Sequence, residues 1–193
     1  VANKPKIVAF AGSTRKASYN KKLVKAAAKA AEEAGGDVQY VDLAEYPMPL
    51  YDGDLEEEKG LPETAIRLRE IFIDADGFLM ATPEYNSSVT GVWKNTIDWL
   101  SRPHEDEPGL VAFRGKTAGL MSASPGALGG LRGLFHVRSI LMNIGVLVLP
   151  NQHAISQAHD AFDDAGALTG EKHRAKIEEI ARDLVETITK LKA

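Results

Sequence analysis

Nine residues, Gly12-Ser13-Thr14-Arg15-Lys16-Ala17-Ser18-Tyr19-Asn20, have the side chains and the setting to hold a phosphate. Ser13, Ser18 and Asn20 can donate hydrogen bonds, and Arg15 adds a permanent charge on a forked guanidinium. The apolar run Ile7-Val8-Ala9-Phe10-Ala11 precedes them and an alanine-rich helical stretch follows, which places the loop between a strand and a helix N-terminus. Unpaired N–H groups and the positive end of the helix dipole favour an anion there. The loop lacks both the Gly-Lys-Ser/Thr ending of a P-loop and the three spaced glycines of the dinucleotide fingerprint, so it suits a terminal monophosphate better than a bridging pyrophosphate. The alternative is that Ser18 or Asn20 only caps the helix while Arg15 is solvated.

Two further polar loops follow apolar runs. In Thr82-Pro83-Glu84-Tyr85-Asn86 the proline fixes the exit from a strand, and the next residues offer polar groups and an aromatic ring suited to the edge of a planar heterocycle. An ordinary strand-to-helix turn, capped by Ser87 or Ser88, is the competing reading. Trp93 and Trp99 read as core or interface residues. In Ser122-Ala123-Ser124-Pro125-Gly126-Ala127-Leu128-Gly129-Gly130 small residues let backbone approach a flat ligand, and a second helix start would stabilise negative charge on it. A reduced flavin develops such charge near N1 and the C2 carbonyl. The five histidines show no paired metal spacing. His104-Glu105-Asp106-Glu107 reads as a solvated loop, and His153 and His159, beyond the last strand, read as surface residues with lining of the site as the alternative. No Gly-x-Ser-x-Gly elbow supports a hydrolase.

The elements that must position these loops alternate along the chain. Strands are predicted at Ile7–Ala11, Val38–Asp42, Gly77–Thr82, Lys116–Ser122 and Val146–Leu149. Helices are predicted at Asn20–Ala34, Ala65–Ala75 behind Pro62, Ser88–Ser101, Leu128–Gly145 and Glu171–Leu191. Between Ala44 and Leu61 a long loop carries an acidic run, Asp54 to Glu58, which reads as a solvated turn. Strict alternation implies an α/β three-layer sandwich, a parallel sheet with helices on both faces. All three polar loops then gather at the strand C-terminal rim.

Composition sets the bounds. With 193 residues, 44% of them hydrophobic, one domain with a substantial core is expected. The net charge of -4 gives no general attraction to nucleic acid or to an acidic membrane. There is no cysteine, no apolar run long enough for a bilayer and no signal-peptide core, which together read as a cytoplasmic protein. On the Leu128–Gly145 helix, Leu131, Leu134, Phe135, Val137, Ile140, Leu141, Met142 and Ile144 form an apolar arc too broad for one sheet face. A second copy of the chain is the expected cover. Arg138, inside that arc, would pair with an acid across the contact or snorkel at its edge.

Gly12-Ser13-x-Arg15-x-x-Ser18-x-Asn20, Pro83-Glu84-Tyr85-Asn86 leading to Gly91-Val92-Trp93-Lys94-Asn95-x-Ile97-Asp98-Trp99, and Ser122-Ala123-Ser124-Pro125-Gly126-x-x-Gly129-Gly130-x-Arg132 resemble the NADPH-dependent FMN reductase family. That family includes quinone and chromate reductases. The resemblance runs from the first strand into the fifth. It implies a flavodoxin-like fold with strand order 2-1-3-4-5 and an FMN-binding set of Ser13, Arg15, Ser18, Tyr19, Asn20, Pro83, Glu84, Tyr85, Asn86, Ser122, Ser124 and Gly126. The phosphate would lie against Ser13, Arg15, Ser18 and Asn20, and the ring among Pro83 to Asn86, Ser124 and Gly126. The implied reaction is ping-pong, from NADPH or NADH through FMN to a quinone, with chromate, other metal oxyanions or azo compounds as further acceptors. No side chain need act as nucleophile or base. Arg132 would reach the interface or the nicotinamide phosphate. The resemblance also implies a homodimer or homotetramer. Two alternatives stay open: a reductase that uses FMN as substrate and supplies a monooxygenase, and a flavodoxin-type electron carrier.

Overall fold

Short runs apolar on both sides become parallel strands covered on both faces. The computed structural model describes residues 4–193. Five strands, β1 (Lys6–Ala11), β2 (Asp37–Val41), β3 (Gly77–Ala81), β4 (Thr117–Ala123) and β5 (Leu147–Ile155), pair in parallel in the order β2-β1-β3-β4-β5. Every residue of the central strands β3 and β4 is buried. The helices are α1 (Tyr19–Glu33), α2 (Gly53–Lys59), α3 (Glu63–Asp74), α4 (Gly91–Leu100), α5 (Leu131–Asn143) and α6 (Glu171–Leu191). On one face α1 and α6 pack Leu23, Ala27, Ala31, Ile177, Ile180 and Leu184 against the sheet. On the other, α3, α4 and α5 contribute Leu68, Phe72, Trp93, Trp99, Leu134 and Leu141. Chain direction across the sheet reverses between β1 and β3, which makes the C-terminal ends of those strands the switch point. Among the described residues no helix is long and apolar enough to cross a membrane.

Several expectations are corrected. The acidic run is not a turn but α2. Asp52 accepts from the Asp54 amide at 2.9 Å, acids lie near the positive helix end, and Lys59 lies in the last turn. Glu56 then receives the Tyr51 hydroxyl at 2.9 Å and Arg102 Nε at 2.9 Å, anchoring a helix that buries none of its residues. The preceding segment is pinned on α4, where Asn95 Nδ2 (2.9 Å) and Trp99 Nε1 (2.8 Å) both donate to the Pro49 carbonyl. Glu107 does not belong to a freely solvated loop, since it pairs with the buried Arg69 of α3.

β5 continues six residues past Leu149. The register moves from Ala118↔Val148 to Leu120↔Gln152, so β5 advances four residues while β4 advances two. Pro150 is tolerated because this is an edge strand with an irregularity. Arg138 serves that irregularity within the chain: its guanidinium donates to the Val148, Leu149 and Pro150 carbonyls and to Gln152 Oε1. His153 therefore lies inside a strand, with Nε2 2.9 Å from His173 Nδ1, and is not a surface loop residue.

Candidate flavin site

The first loop is built against the switch point. The Gly12 amide donates to Ala81 at 2.9 Å, and the Thr90 hydroxyl donates to the Gly12 carbonyl at 2.7 Å. A Cβ on Gly12 would come 2.8 Å from Thr82 Oγ1 and 3.0 Å from Trp93 Cβ, so only glycine fits. Ser13 and Ser18 are buried, while Thr14 to Ala17 form an exposed arch that carries Arg15. Ser18 caps α1 by accepting from the Lys21 amide at 3.4 Å, and its hydroxyl proton is left free to donate. The cap and an anion at the same helix end are therefore compatible. Among the described residues no acceptor meets the amides of Thr14, Lys16, Ala17 or Tyr19. The Tyr19 ring stacks on Phe162 with centroids 6.0 Å apart, so its amide is what faces the loop end. Lys21 is neutralised by Asp42, 2.7 Å away.

Asn20 has a different task from the one its type suggests. Its Nδ2 donates to the Ala123 carbonyl at 2.8 Å, and its Oδ1 accepts the Ala123 amide at 2.9 Å. The side chain thus locks the start of α1 to the end of β4. Its backbone amide is the part that remains available at the helix start.

The second loop is a two-residue hairpin. Tyr85 and Ser88 exchange backbone hydrogen bonds at 3.0 Å, and Asn86 and Ser87 both take left-handed φ values of 50° and 66°. Consecutive left-handed residues are what a type I′ turn demands, and non-glycine residues hold that geometry at a cost. Neither Ser87 nor Ser88 caps α4; Thr90 does, accepting from the Trp93 amide at 3.3 Å. Ser88 Oγ instead meets His136 Nδ1 of α5 at 2.8 Å. The Tyr85 ring stands exposed, and Pro83 is half-buried at the strand exit.

The third loop is fixed by its own polar groups. The buried Ser122 hydroxyl donates to the Thr82 carbonyl at 2.7 Å and fills the space where a Cβ on Gly130 would lie. The Ser124 amide donates to Ile155 at 3.0 Å, and Ser124 Oγ accepts from Gly126 at 3.2 Å, leaving its hydroxyl proton free. Glu84 crosses from the second loop to accept from the amides of Arg132 (3.0 Å) and Gly133 (3.2 Å) and from Arg132 Nε (2.7 Å). Burial would raise the Glu84 carboxyl, but these donors, Arg132 foremost, outweigh it and hold the group below its ordinary range. The first-turn amides expected to meet a ligand at α5 are thus occupied by the protein's own carboxylate. Arg132 likewise pairs inward with Glu84.

The structure therefore brings Ser13, Arg15, Ser18, Tyr19 and Asn20 to one loop at the head of α1. Through Asn20–Ala123 and Ser122–Thr82 it draws the other two loops against the same rim. The side chains of Asn20, Glu84 and Ser122 hold the frame. The Ser13, Ser18 and Ser124 hydroxyls, the exposed Arg15 and the unpaired amides are the donors left for a ligand. Sequence reading missed the framing threonine Thr90, which looks like an ordinary linker residue before α4. A groove of about 1000 Å³ starts at Thr14, Lys16 and Ser18 and runs along α1 toward Arg174, and a cavity of about 250 Å³ lies between Thr14 and the Val92–Thr96 turn of α4. Among the described residues no cluster of three or more metal-ligating side chains is present.

FMN passes the test of fit at the first loop. Residues 13–20 contain no carboxylate, two buried hydroxyls retain protons to donate, several amides lack acceptors, and Arg15 adds charge. That is the donor set a phosphate dianion needs.

A five-stranded parallel sheet in the order 2-1-3-4-5, with polar loops at the β1/β3 switch point, defines a flavodoxin-like protein. The family model described as NADPH-dependent FMN reductase matches residues 5–160, and the chain belongs to that family. An NAD(P)H-dependent FMN reductase of Pseudomonas aeruginosa is 38% identical over 179 residues, 90% of each chain. An NAD(P)H:quinone oxidoreductase of Solanum tuberosum is 34% identical over 192 residues, 97% of this chain and 94% of that one. Among solved structures, the flavoenzyme NAD(P)H:(acceptor) oxidoreductase FerB of Paracoccus denitrificans matches with a TM-score of 0.80 at 31% identity, covering 97% of this chain and 98% of FerB.

Proposed function

We propose that the protein is an FMN-dependent NAD(P)H:quinone oxidoreductase and that the whole chain forms one FMN-binding domain. The observation that carries this reading is the phosphate cradle at the head of α1, with the buried Ser13 and Ser18 hydroxyls, the unpaired amides and Arg15 at the switch point. The relatives named as FMN reductase and quinone oxidoreductase support the choice of cofactor and acceptor.

Ser13, Ser18, Arg15 and the amides of the arch and first helical turn would hold the FMN phosphate. Tyr85, Asn86, Ser124 and Gly126 would border the ring. When bound, FMN supplies two-electron redox chemistry between NAD(P)H and the acceptor. The protein's contribution is to fix orientation and environment, which needs no nucleophile or general base. Asn20 and Ser122 hold the loops in register, and the Tyr85–Ser88 hairpin presents its tip from a rigid base on α5. Quinones are the acceptor class proposed, with metal oxyanions and azo compounds as further acceptors to assay.

The association state belongs to the same proposal. Leu134, Val137 and Leu141 of α5 enter the core, but Leu131, Phe135 and Met142 of the same helix remain exposed, as do Leu128 and Tyr85. An apolar face of this kind fits a second copy of the chain better than water. The test is reconstitution with FMN followed by steady-state kinetics with NADPH and a soluble quinone. Parallel double-reciprocal lines and a requirement for FMN over riboflavin are expected. Equal binding of riboflavin and FMN would remove the phosphate cradle from the account, and the absence of quinone turnover would remove the activity.

A further inference from the structure

Helix α5 begins without a side-chain cap of its own. Gly129 and Gly130 enter it in left-handed conformations, with φ values of 62° and 92°. Such a start leaves first-turn amides that need an acceptor. Glu84 supplies it from 48 residues upstream, and its carboxylate is almost wholly buried. Its partner Arg132 is more than half exposed. One negative charge, one positive charge and the positive end of a helix dipole therefore meet between Pro83 and Tyr85 on one side and Gly130 on the other. On the functional reading above, that junction joins the two loops bordering the flavin ring.

We propose that Glu84 sets the midpoint potential of the bound flavin by offsetting most of the positive charge that Arg132 and the start of α5 place beside it. The inference rests on the FMN reading. Uptake of two electrons and one proton adds one negative charge to the ring, so nearby positive charge favours the reduced form and nearby negative charge opposes it. With Glu84 ionised, the junction keeps only about half a positive charge, from the start of α5, and the flavin remains a stronger reductant toward its acceptor. An α5 start left open would do the reverse, acting as the stabiliser of ring charge that the small-residue loop alone suggests.

The experiment measures the midpoint potential of the FMN-loaded protein by equilibration with redox dyes, together with the FMN dissociation constant in the oxidised state. Glu84→Gln keeps the shape and an acceptor but removes the charge, and the potential should rise. Arg132→Gln removes the opposite charge and should lower it, and the double variant should return close to wild type. A tenfold change in the ratio of oxidised to reduced FMN affinity reads as a shift of about 30 mV for a two-electron couple, and each single variant is expected to move by roughly that much. A purely structural role would weaken FMN retention in both variants without opposite potential shifts, and that result overturns the proposal. Should Glu84→Gln fail to fold, Arg132→Gln, which leaves the backbone cap in place, decides by itself: a lower potential supports the proposal and an unchanged one overturns it. A wild-type chain that takes up no FMN overturns the functional reading instead, and the inference with it.

Discussion

Replacing Asn20 by alanine is the most demanding test of how the cradle is held together. Asn20 is 2% exposed, and its amide makes two hydrogen bonds, at 2.8 and 2.9 Å, to the carbonyl and amide of Ala123. Each bond contributes about 1 kcal/mol net, and the substitution also strips both Ala123 groups of that partner where water has little access. The expected loss is roughly 3 kcal/mol. For a chain of this size that lowers the melting temperature by roughly 6–12 °C. Denaturant unfolding followed by circular dichroism measures the loss directly. FMN affinity, followed by quenching of flavin fluorescence, should fall as well, because the start of α1 and the Ser122–Gly126 loop lose their tie. A loss below about 1 kcal/mol with FMN affinity unchanged would refute the view that Asn20 frames the site.

Arg15→Ala should weaken FMN binding roughly tenfold, the low end for a charge-assisted bond because the residue stands on an exposed arch; fluorescence titration that finds no change would remove Arg15 from the site. Phe135→Glu, at a position 57% exposed, should reduce the sedimentation coefficient from that of an assembly to that of one chain without unfolding it. If the wild-type protein already sediments as one chain, the interface proposal fails. Burial, with His173 and nearby lysines adding to it, holds the His153 pKa below its ordinary 6.5. The unfolded chain therefore takes up the proton first, so this contribution to stability is complete above pH 6.5 and declines as pH falls toward the folded-state value. Melting temperature should drop between pH 7.5 and 5.5 more steeply for wild type than for His153→Gln, and parallel curves would contradict this.

The strands and most helices could be read from the sequence because two-sided burial writes a continuous apolar signal and sheet-facing helices write a periodic one. β3 and β4 were placed within a residue at each end, and α6 was placed at its observed limits. What escaped was held by partners distant in sequence. The Asp54–Glu58 run looks like a solvated turn until Arg102 and Tyr51 meet Glu56. Pro150 looks like the end of a strand until Arg138 satisfies the carbonyls around it. At the site, the loop chemistry was legible, since hydroxyls, arginine and a helix start announce an anion locally. The division between ligand-facing and framing side chains was not. Asn20 and Glu84 have types that suggest ligands, and only the approach of Ala123 and of the α5 start shows where their polar atoms go. Leu134 and Leu141, which in sequence look as suited to an interface as Phe135, are fully buried in the chain's own core.

The central claim is that the cradle at the head of α1 binds FMN and that NAD(P)H reduces it. The most direct measurement is the visible spectrum of the FMN-loaded protein, after removal of free flavin, during anaerobic titration with NADPH and then with a quinone. The account predicts a retained flavin spectrum, bleaching by one equivalent of NADPH, and return of the oxidised spectrum on addition of one equivalent of quinone. Loss of flavin during removal of the free cofactor, or a bound flavin that NADPH and NADH both leave oxidised, would contradict it.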